Sequence, residues 1–161
     1  MEHGVALLSS QGRFPQVSGL AFSYDASKTA QVLNSSFAAT TAGERIRSLK
    51  VGNDVVVNNG VIVGNGSRTF RLVTLSFLAE RGDGYPFPAA LLNKTDLTTL
   101  TSANLGGLAS TATATLGSEQ DALMKYLKSQ FSTNAYNTAD TIEALDLRIQ
   151  NLAARTDTVL K

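Results

Sequence analysis

Apolar and polar side chains alternate in residues 18–24, which is the pattern of a β-strand with one covered face. Leu20, Phe22 and Tyr24 fall on the same side of such a strand, and Asp25 follows at its end. The pattern therefore predicts a half-buried strand here.

Four further strands are predicted in the middle of the chain, at residues 46–51, 54–57, 61–63 and 69–76. Asn and Gly lie between the first three, and these residues tolerate the positive φ that tight hairpins need. Neighbouring strands should therefore be antiparallel. The apolar run from Phe70 to Leu78 is typical of a central, well-covered strand that leads into a short helical turn.

Helices are predicted toward both ends of the chain. Residues 2–8 have the character of the end of a truncated helix, and a turn at residues 9–12 follows. Ser118 begins a clearer helix, because Asp121 lies at its third position as in a capping box. The apolar residues of this helix share one face: Leu123, Tyr126, Leu127 and Phe131.

The terminal segment allows two interpretations. Its apolar residues recur at helical spacing at Ile142, Leu145, Ile149 and Leu152, but residues 148–150 fit an edge strand equally well. Three stretches are predicted as loops: a surface excursion at 26–43, a shaped Gly/Pro loop at 80–88, and a loosely packed excursion or weak strand pair at 95–117. The elements together predict an α+β fold, with a mixed, largely antiparallel sheet and flanking helices.

Length and charge limit the possible functions. The 161 residues suffice for one domain, at most one and a half, and 43% hydrophobic residues indicate a folded chain. A net charge of +1 argues against a dedicated partner of nucleic-acid polymers or membrane surfaces. No apolar run approaches the roughly 20 residues of a membrane span.

The sequence contains one histidine, His3, and no cysteine. Histidine-rich metal sites, Ser-His-Asp triads and thiol nucleophiles are therefore not expected within this chain. We expect no cofactor here, and no pair of carboxylates is placed convincingly for acid–base catalysis. If the chain belongs to an enzyme, it supplies recognition and leaves the chemistry to another segment.

Three stretches carry the most information when taken in order. They are GRFPQVSGL at residues 12–20 with Tyr24-Asp25, GERI at 43–46, and FLA at 77–79 with GDGY at 82–85. Together they resemble the C-terminal domain of the 5'-nucleotidase family over about residues 2–90, with a weaker echo at Arg148-Ile149. On this resemblance, residues 1–94 are the N-terminally truncated nucleoside-binding core, and residues 95–161 complete the same domain.

The resemblance implies that substrate binding and hydrolysis are performed by different domains. In the family, an N-terminal metallophosphoesterase domain holds two metal ions and performs hydrolysis, while the C-terminal domain clamps the base between two aromatic rings. The partners it implies for this chain are a nucleoside or nucleotide and the missing metal-binding domain, to which the divalent ions would belong. It also implies a periplasmic or extracellular location.

Four residues match positions through which the family binds its ligand. Phe14 and Tyr85 correspond to the two stacking aromatics, although Phe14 by itself would suit a core position. Gln16 offers an amide to the base edge or ribose, or is a solvated loop residue. Asp83 either contacts the ligand or braces its own loop.

The sequence also departs from the family pattern. Arg81 occupies a position where the family usually has glycine, and no carboxylate follows Tyr85 before Asn93, which puts ribose recognition in doubt. Arg45 and Arg47 are candidate phosphate ligands, but on this resemblance Arg45 matches a structural arginine at the start of a strand. The alternative hypothesis is a non-catalytic extracellular structural or adhesion module with a vestigial pocket. An exposed sheet edge could also allow a homodimer.

Overall fold

The computed structural model describes residues 1–7, 12–90, 93–105, 114–137, 139 and 142–161. The chain divides into two compact units. The first combines Met1–Phe87 with Glu143–Lys161, and the second is Pro88–Ile142. The terminal segment therefore belongs with the first half of the chain.

A five-stranded sheet organises the first unit. Its strands are β1 (Leu20–Tyr24), β4 (Ile46–Val51), β5 (Asp54–Asn58), β6 (Val61–Ile62) and β7 (Ile149–Asn151), in the order β6-β5-β4-β1-β7. Only the pairing of β1 with β7 is parallel. The mixed, mostly antiparallel sheet confirms the predicted α+β class, and β7 confirms the edge-strand interpretation of the terminal segment.

The tight turns of the sheet lie where the sequence places Asn and Gly. Asn59 and Gly60 both have positive φ, 47° and 80°, between β5 and β6. The predicted surface excursion at 26–43 holds a short separate hairpin of β2 (Val32–Leu33) and β3 (Ala39–Thr41).

The core of the first unit is small and centres on β1. Val5, Phe22, Tyr24 and Ile46 form the buried cluster, against which Phe14 packs. Ser23, between Phe22 and Tyr24, is also fully buried, so the prediction that only one face of β1 is covered is wrong. The second face is covered because polar groups of the C-terminal tail bind there.

The C-terminal tail is held by three buried polar side chains of the sheet, Ser23, Ser48 and Gln150. Asp157 Oδ2 accepts hydrogen bonds from the hydroxyls of Ser23 and Ser48, each at 2.6 Å. Gln150, which is also fully buried, accepts from the backbone N–H of Thr158 at 2.9 Å. These bonds satisfy side chains that would otherwise be costly to bury.

Two predicted elements of the first unit are wrong. Residues 2–5 form turns instead of a helix, since their backbone and side chains bond to the start of β4; residues 8–11 lie outside the described part. Residues 69–75 form no strand with any described residue, and their side chains are exposed, Val73 at 79%. A strand needs a neighbour to pair with, whatever its own propensity. The predicted helical turn follows as α1 (Ser76–Ala79).

The second unit contains α2 (Glu119–Gln130), which begins as predicted. The Ser118 hydroxyl accepts a hydrogen bond from the Asp121 N–H at 3.2 Å, which caps the first turn. Short 3-10 turns occupy Leu97–Thr99 and Ala103–Leu105 in the predicted excursion, whose residues 106–113 lie outside the described part.

Candidate functional site

The loop before β1, residues 12–19, carries two of the predicted site residues. The ring of Phe14 is half-buried and meets the edge of Tyr24, with centroids 5.7 Å apart and planes at 67°. Gln16, two positions later, is exposed. The core therefore fixes the aromatic ring of this loop and leaves the amide in solvent.

The terminal segment ties the other end of this loop to the sheet. Arg148 donates to the Val17 carbonyl at 3.1 Å, and it also bonds to Asp146. These hydrogen bonds from Arg148 lower the pKa of Asp146 to about 2, so the carboxylate stays charged at neutral pH. Arg148 thus has a structural role beside the Phe14 loop.

The second loop, residues 80–88, makes a tight turn at the GDGY sequence, residues 82–85. Asp83 has a φ of 53° and Gly84 one of 74°, and the Tyr85 N–H bonds to the Gly82 carbonyl at 3.2 Å. There is no room for a side chain at Gly82, because a Cβ there would lie 2.5 Å from the Phe77 carbonyl oxygen. The two glycines permit a turn that places Tyr85 immediately after it.

Arg81 adopts a backbone conformation that favours glycine. Its φ is 70°, in the left-handed region. Two contacts hold it there: Nε donates to the Phe87 carbonyl at 2.7 Å, and the guanidinium lies 4.6 Å from the ring centroid of Phe37. The second contact joins the β2–β3 hairpin to this loop.

Tyr85 connects the two loops. Its hydroxyl donates to the Arg13 carbonyl, next to Phe14, at 2.6 Å. Its ring stacks on Phe87, with centroids 6.0 Å apart and planes at 18°. Burial, reinforced by the negative charge of Asp83, raises the pKa of Tyr85, so the hydroxyl remains a donor at neutral pH.

The structure thus brings together the two loops that carry the four predicted residues. Phe14 and Tyr85 lie on loops that share a hydrogen bond. Gln16 and Asp83 lie on the same two loops, and both side chains are exposed. The backbone carbonyl of Asp83 accepts a hydrogen bond from His3.

Two residues that the sequence pattern did not indicate hold this region, His3 and Gly4. His3 is 8% exposed, and its ring meets the edge of Tyr85 with centroids 5.2 Å apart. A Cβ on Gly4 would lie 2.7 Å from Pro15 Cδ and 2.9 Å from the Tyr85 hydroxyl. The sequence feature that could have indicated their role is the histidine directly before a glycine. The helix predicted for residues 2–8 did not suggest that role.

The two arginines considered as phosphate ligands bond to the backbone. Arg45 donates to the carbonyls of Val5 and Ala6 through Nη1, at 2.9 and 2.8 Å, and to that of Lys28 through Nε. Arg47 donates to the Asn59 carbonyl at 2.8 Å. These contacts give Arg45 the structural role expected of it.

Within the described ranges, no three His, Asp or Glu side chains come together as a metal site. The described residues therefore offer no set of ligands that fits two metal ions. The two loops carry aromatic rings, an exposed amide and backbone hydrogen-bonding groups.

Comparison with known proteins agrees with the motifs. The model of the 5'-nucleotidase C-terminal domain matches residues 2–90, which is more than half of the chain. Neither the curated proteins nor the solved structures gave a match. Among the described helices, none has the length and apolar character needed to cross a bilayer. The chain belongs to the 5'-nucleotidase family, of which it carries the C-terminal domain.

Proposed function

We propose that this chain is the nucleoside-recognition domain of a secreted 5'-nucleotidase-type phosphohydrolase, in which Phe14 and Tyr85 stack on the base. The observation that carries the proposal is the 2.6 Å hydrogen bond from the Tyr85 hydroxyl to the Arg13 carbonyl. It joins the two aromatic loops of a chain that belongs to this family. Hydrolysis would be supplied by a metallophosphoesterase domain outside these residues.

The physical chemistry of the loops supports base binding. Stacking of a nucleobase on an aromatic side chain contributes about 1–3 kcal/mol. Tyr24 packs against the Phe14 ring, and His3 and Phe87 pack against the Tyr85 ring, so little side-chain freedom is lost when a base binds. The exposed amide of Gln16 can both donate to and accept from the base edge or ribose.

A periplasmic or extracellular location accompanies this proposal. Proteins of the family are typically found there, and substrates of such enzymes are nucleotides outside the cytoplasm. The cysteine-free composition is compatible with export.

Calorimetric titration of adenosine into the folded chain tests the proposal. We expect saturable binding, and Phe14→Ala should weaken it about 5- to 150-fold, the equivalent of one lost stacking contact. Phe70→Ala is the matched control, because Phe70 is an exposed ring in residues 69–75, outside both loops. That variant should bind adenosine as the unmodified chain does.

Two results would contradict the proposal. Equal affinities of the Phe14→Ala and unmodified chains would remove Phe14 from the site. A folded chain that binds no adenosine would favour the alternative, a non-catalytic extracellular module with a vestigial pocket. Circular dichroism of each sample establishes that the chain is folded.

A further inference from the structure

His3 contacts three consecutive residues of the GDGY loop. Its Nε2 donates to the Asp83 carbonyl at 2.9 Å, although 80 positions separate the two residues. A Cβ on Gly84 would lie 3.4 Å from the imidazole Cε1 and Nε2, and the Tyr85 ring meets the imidazole at 68°. The imidazole thus lies directly against the turn that precedes Tyr85.

The backbone on either side of His3 is anchored to the sheet. The Glu2 carboxylate accepts from the backbone N–H groups of Arg45 and Ile46, at 3.2 and 2.8 Å, where β4 begins. Val5 is fully buried in the core. The backbone around His3 is therefore held by contacts that do not involve the GDGY loop.

The GDGY loop itself depends on support from outside. Arg81 and Asp83 both have positive φ, at 70° and 53°, which is costly for residues with a Cβ. Within the loop, the N–H groups of Gly84 and Tyr85 form single hydrogen bonds of 3.1 and 3.2 Å to Arg81 and Gly82. Such a conformation persists when the surrounding structure constrains it.

We propose that His3 is a positioning residue, which transmits the rigidity of β4 to the GDGY loop and so holds Tyr85 in place to stack on the base. The part of this inference that concerns the base rests on the proposed function. A buried histidine that merely filled space in the core would contribute to global stability instead, and would not act on the loop in particular.

Three variants at position 3 separate the hydrogen bond from packing. His3→Phe keeps a ring against Tyr85 but cannot donate to the Asp83 carbonyl. His3→Gln keeps an N–H donor near the position of Nε2 but has no ring. His3→Leu has neither, and therefore gives the full effect of losing the side chain.

Amide hydrogen exchange measures the loop directly. In His3→Phe we expect the Gly84 and Tyr85 amides to exchange about five- to tenfold faster, which corresponds to the loss of one hydrogen bond. Amides of β1 and β4 should keep their rates, and His3→Gln should restore most of the protection at Gly84 and Tyr85. Adenosine affinity should follow the same order, with His3→Phe weaker than His3→Gln.

The outcomes that overturn the proposal differ from those that overturn the proposed function. Equal acceleration of exchange in the loop, β1 and β4 would make His3 a core residue only. Failure of His3→Gln to restore protection would remove the hydrogen bond from the explanation. If the unmodified chain binds no adenosine, the proposed function fails, while the exchange rates still show whether His3 positions the loop.

Discussion

Asp157→Ala is expected to lower the free energy of unfolding by about 2–3 kcal/mol, because two buried hydroxyls lose their common acceptor. Ser23 and Ser48 are 0% and 5% exposed, and both donate to Oδ2 of Asp157. The same carboxylate accepts from the Val159 N–H at 3.0 Å, and Val159 is itself buried. The alanine variant therefore also loosens the tail that covers one face of β1. Urea denaturation followed by circular dichroism measures the loss.

The controls distinguish the hydrogen bonds from the charge. Asp157→Asn retains one side-chain oxygen as an acceptor and should lose less stability than Asp157→Ala. In a double-mutant cycle with Ser48→Ala, the two substitutions should be strongly non-additive, since each removes the same hydrogen bond. Additive losses would show that the hydroxyl and the carboxylate do not interact in solution.

The same cluster predicts a pH dependence. Burial raises the pKa of Asp157, but hydrogen bonds from Ser23, Ser48 and the Val159 N–H outweigh it, so the net pKa lies below the usual value. Because the folded pKa is depressed, the stabilisation is present above the unfolded pKa of about 3.9 and is lost as pH falls through the folded pKa. The stability advantage over Asp157→Asn should therefore be constant near neutral pH and shrink below about pH 4.

The central strands could be predicted because local signals agree there. Three consecutive valines form the middle of β5, Ile46 and Val51 begin and end β4, and Gly52-Asn53 supplies the turn that joins the two strands. The structure adds one residue to the predicted end of β5 and removes one from β6. Such patterns depend on neighbours a few positions away, which the sequence displays directly.

What the sequence did not disclose depends on distant contacts. Residues 69–75 have the composition of a buried strand, yet pairing needs a second strand, and no described residue provides one. Ser23 lies at a position that alternation assigns to solvent, and its buried hydroxyl donates to a carboxylate 134 positions away. His3 is comparable, because its partner Asp83 lies 80 positions along the chain.

The proposed aromatic site was predicted from the order of the motifs rather than from the physical properties of single residues. Phe14 by its composition suits a core residue, and it does pack against the core cluster. The order of FPQVSG and GDGY suggested that the two loops act together, and the bond between Tyr85 and Arg13 joins them. Arg81 has a left-handed backbone conformation, which favours glycine. Its side chain contacts Phe37 and Phe87 in that conformation.

Tyr85→Ala is expected to weaken adenosine binding about 30-fold or more, since it removes both a stacking ring and the bond between the loops. Tyr85→Phe is the matched variant, because it keeps the ring and loses only the hydrogen bond to the Arg13 carbonyl. It should weaken binding by about fivefold, the effect of one neutral hydrogen bond. Calorimetric titration of both variants gives the two affinities under identical conditions.

The comparison of the two variants assigns the role of Tyr85. If Tyr85→Phe loses as much affinity as Tyr85→Ala, the hydroxyl acts by closing the loops, and the ring does not stack on the base. If neither variant changes the affinity, Tyr85 lies outside the site, and the ring that it stacks on, Phe87, becomes the candidate to examine next. A large difference in the expected order leaves stacking by the Tyr85 ring as the explanation, because the hydrogen bond is absent from both variants.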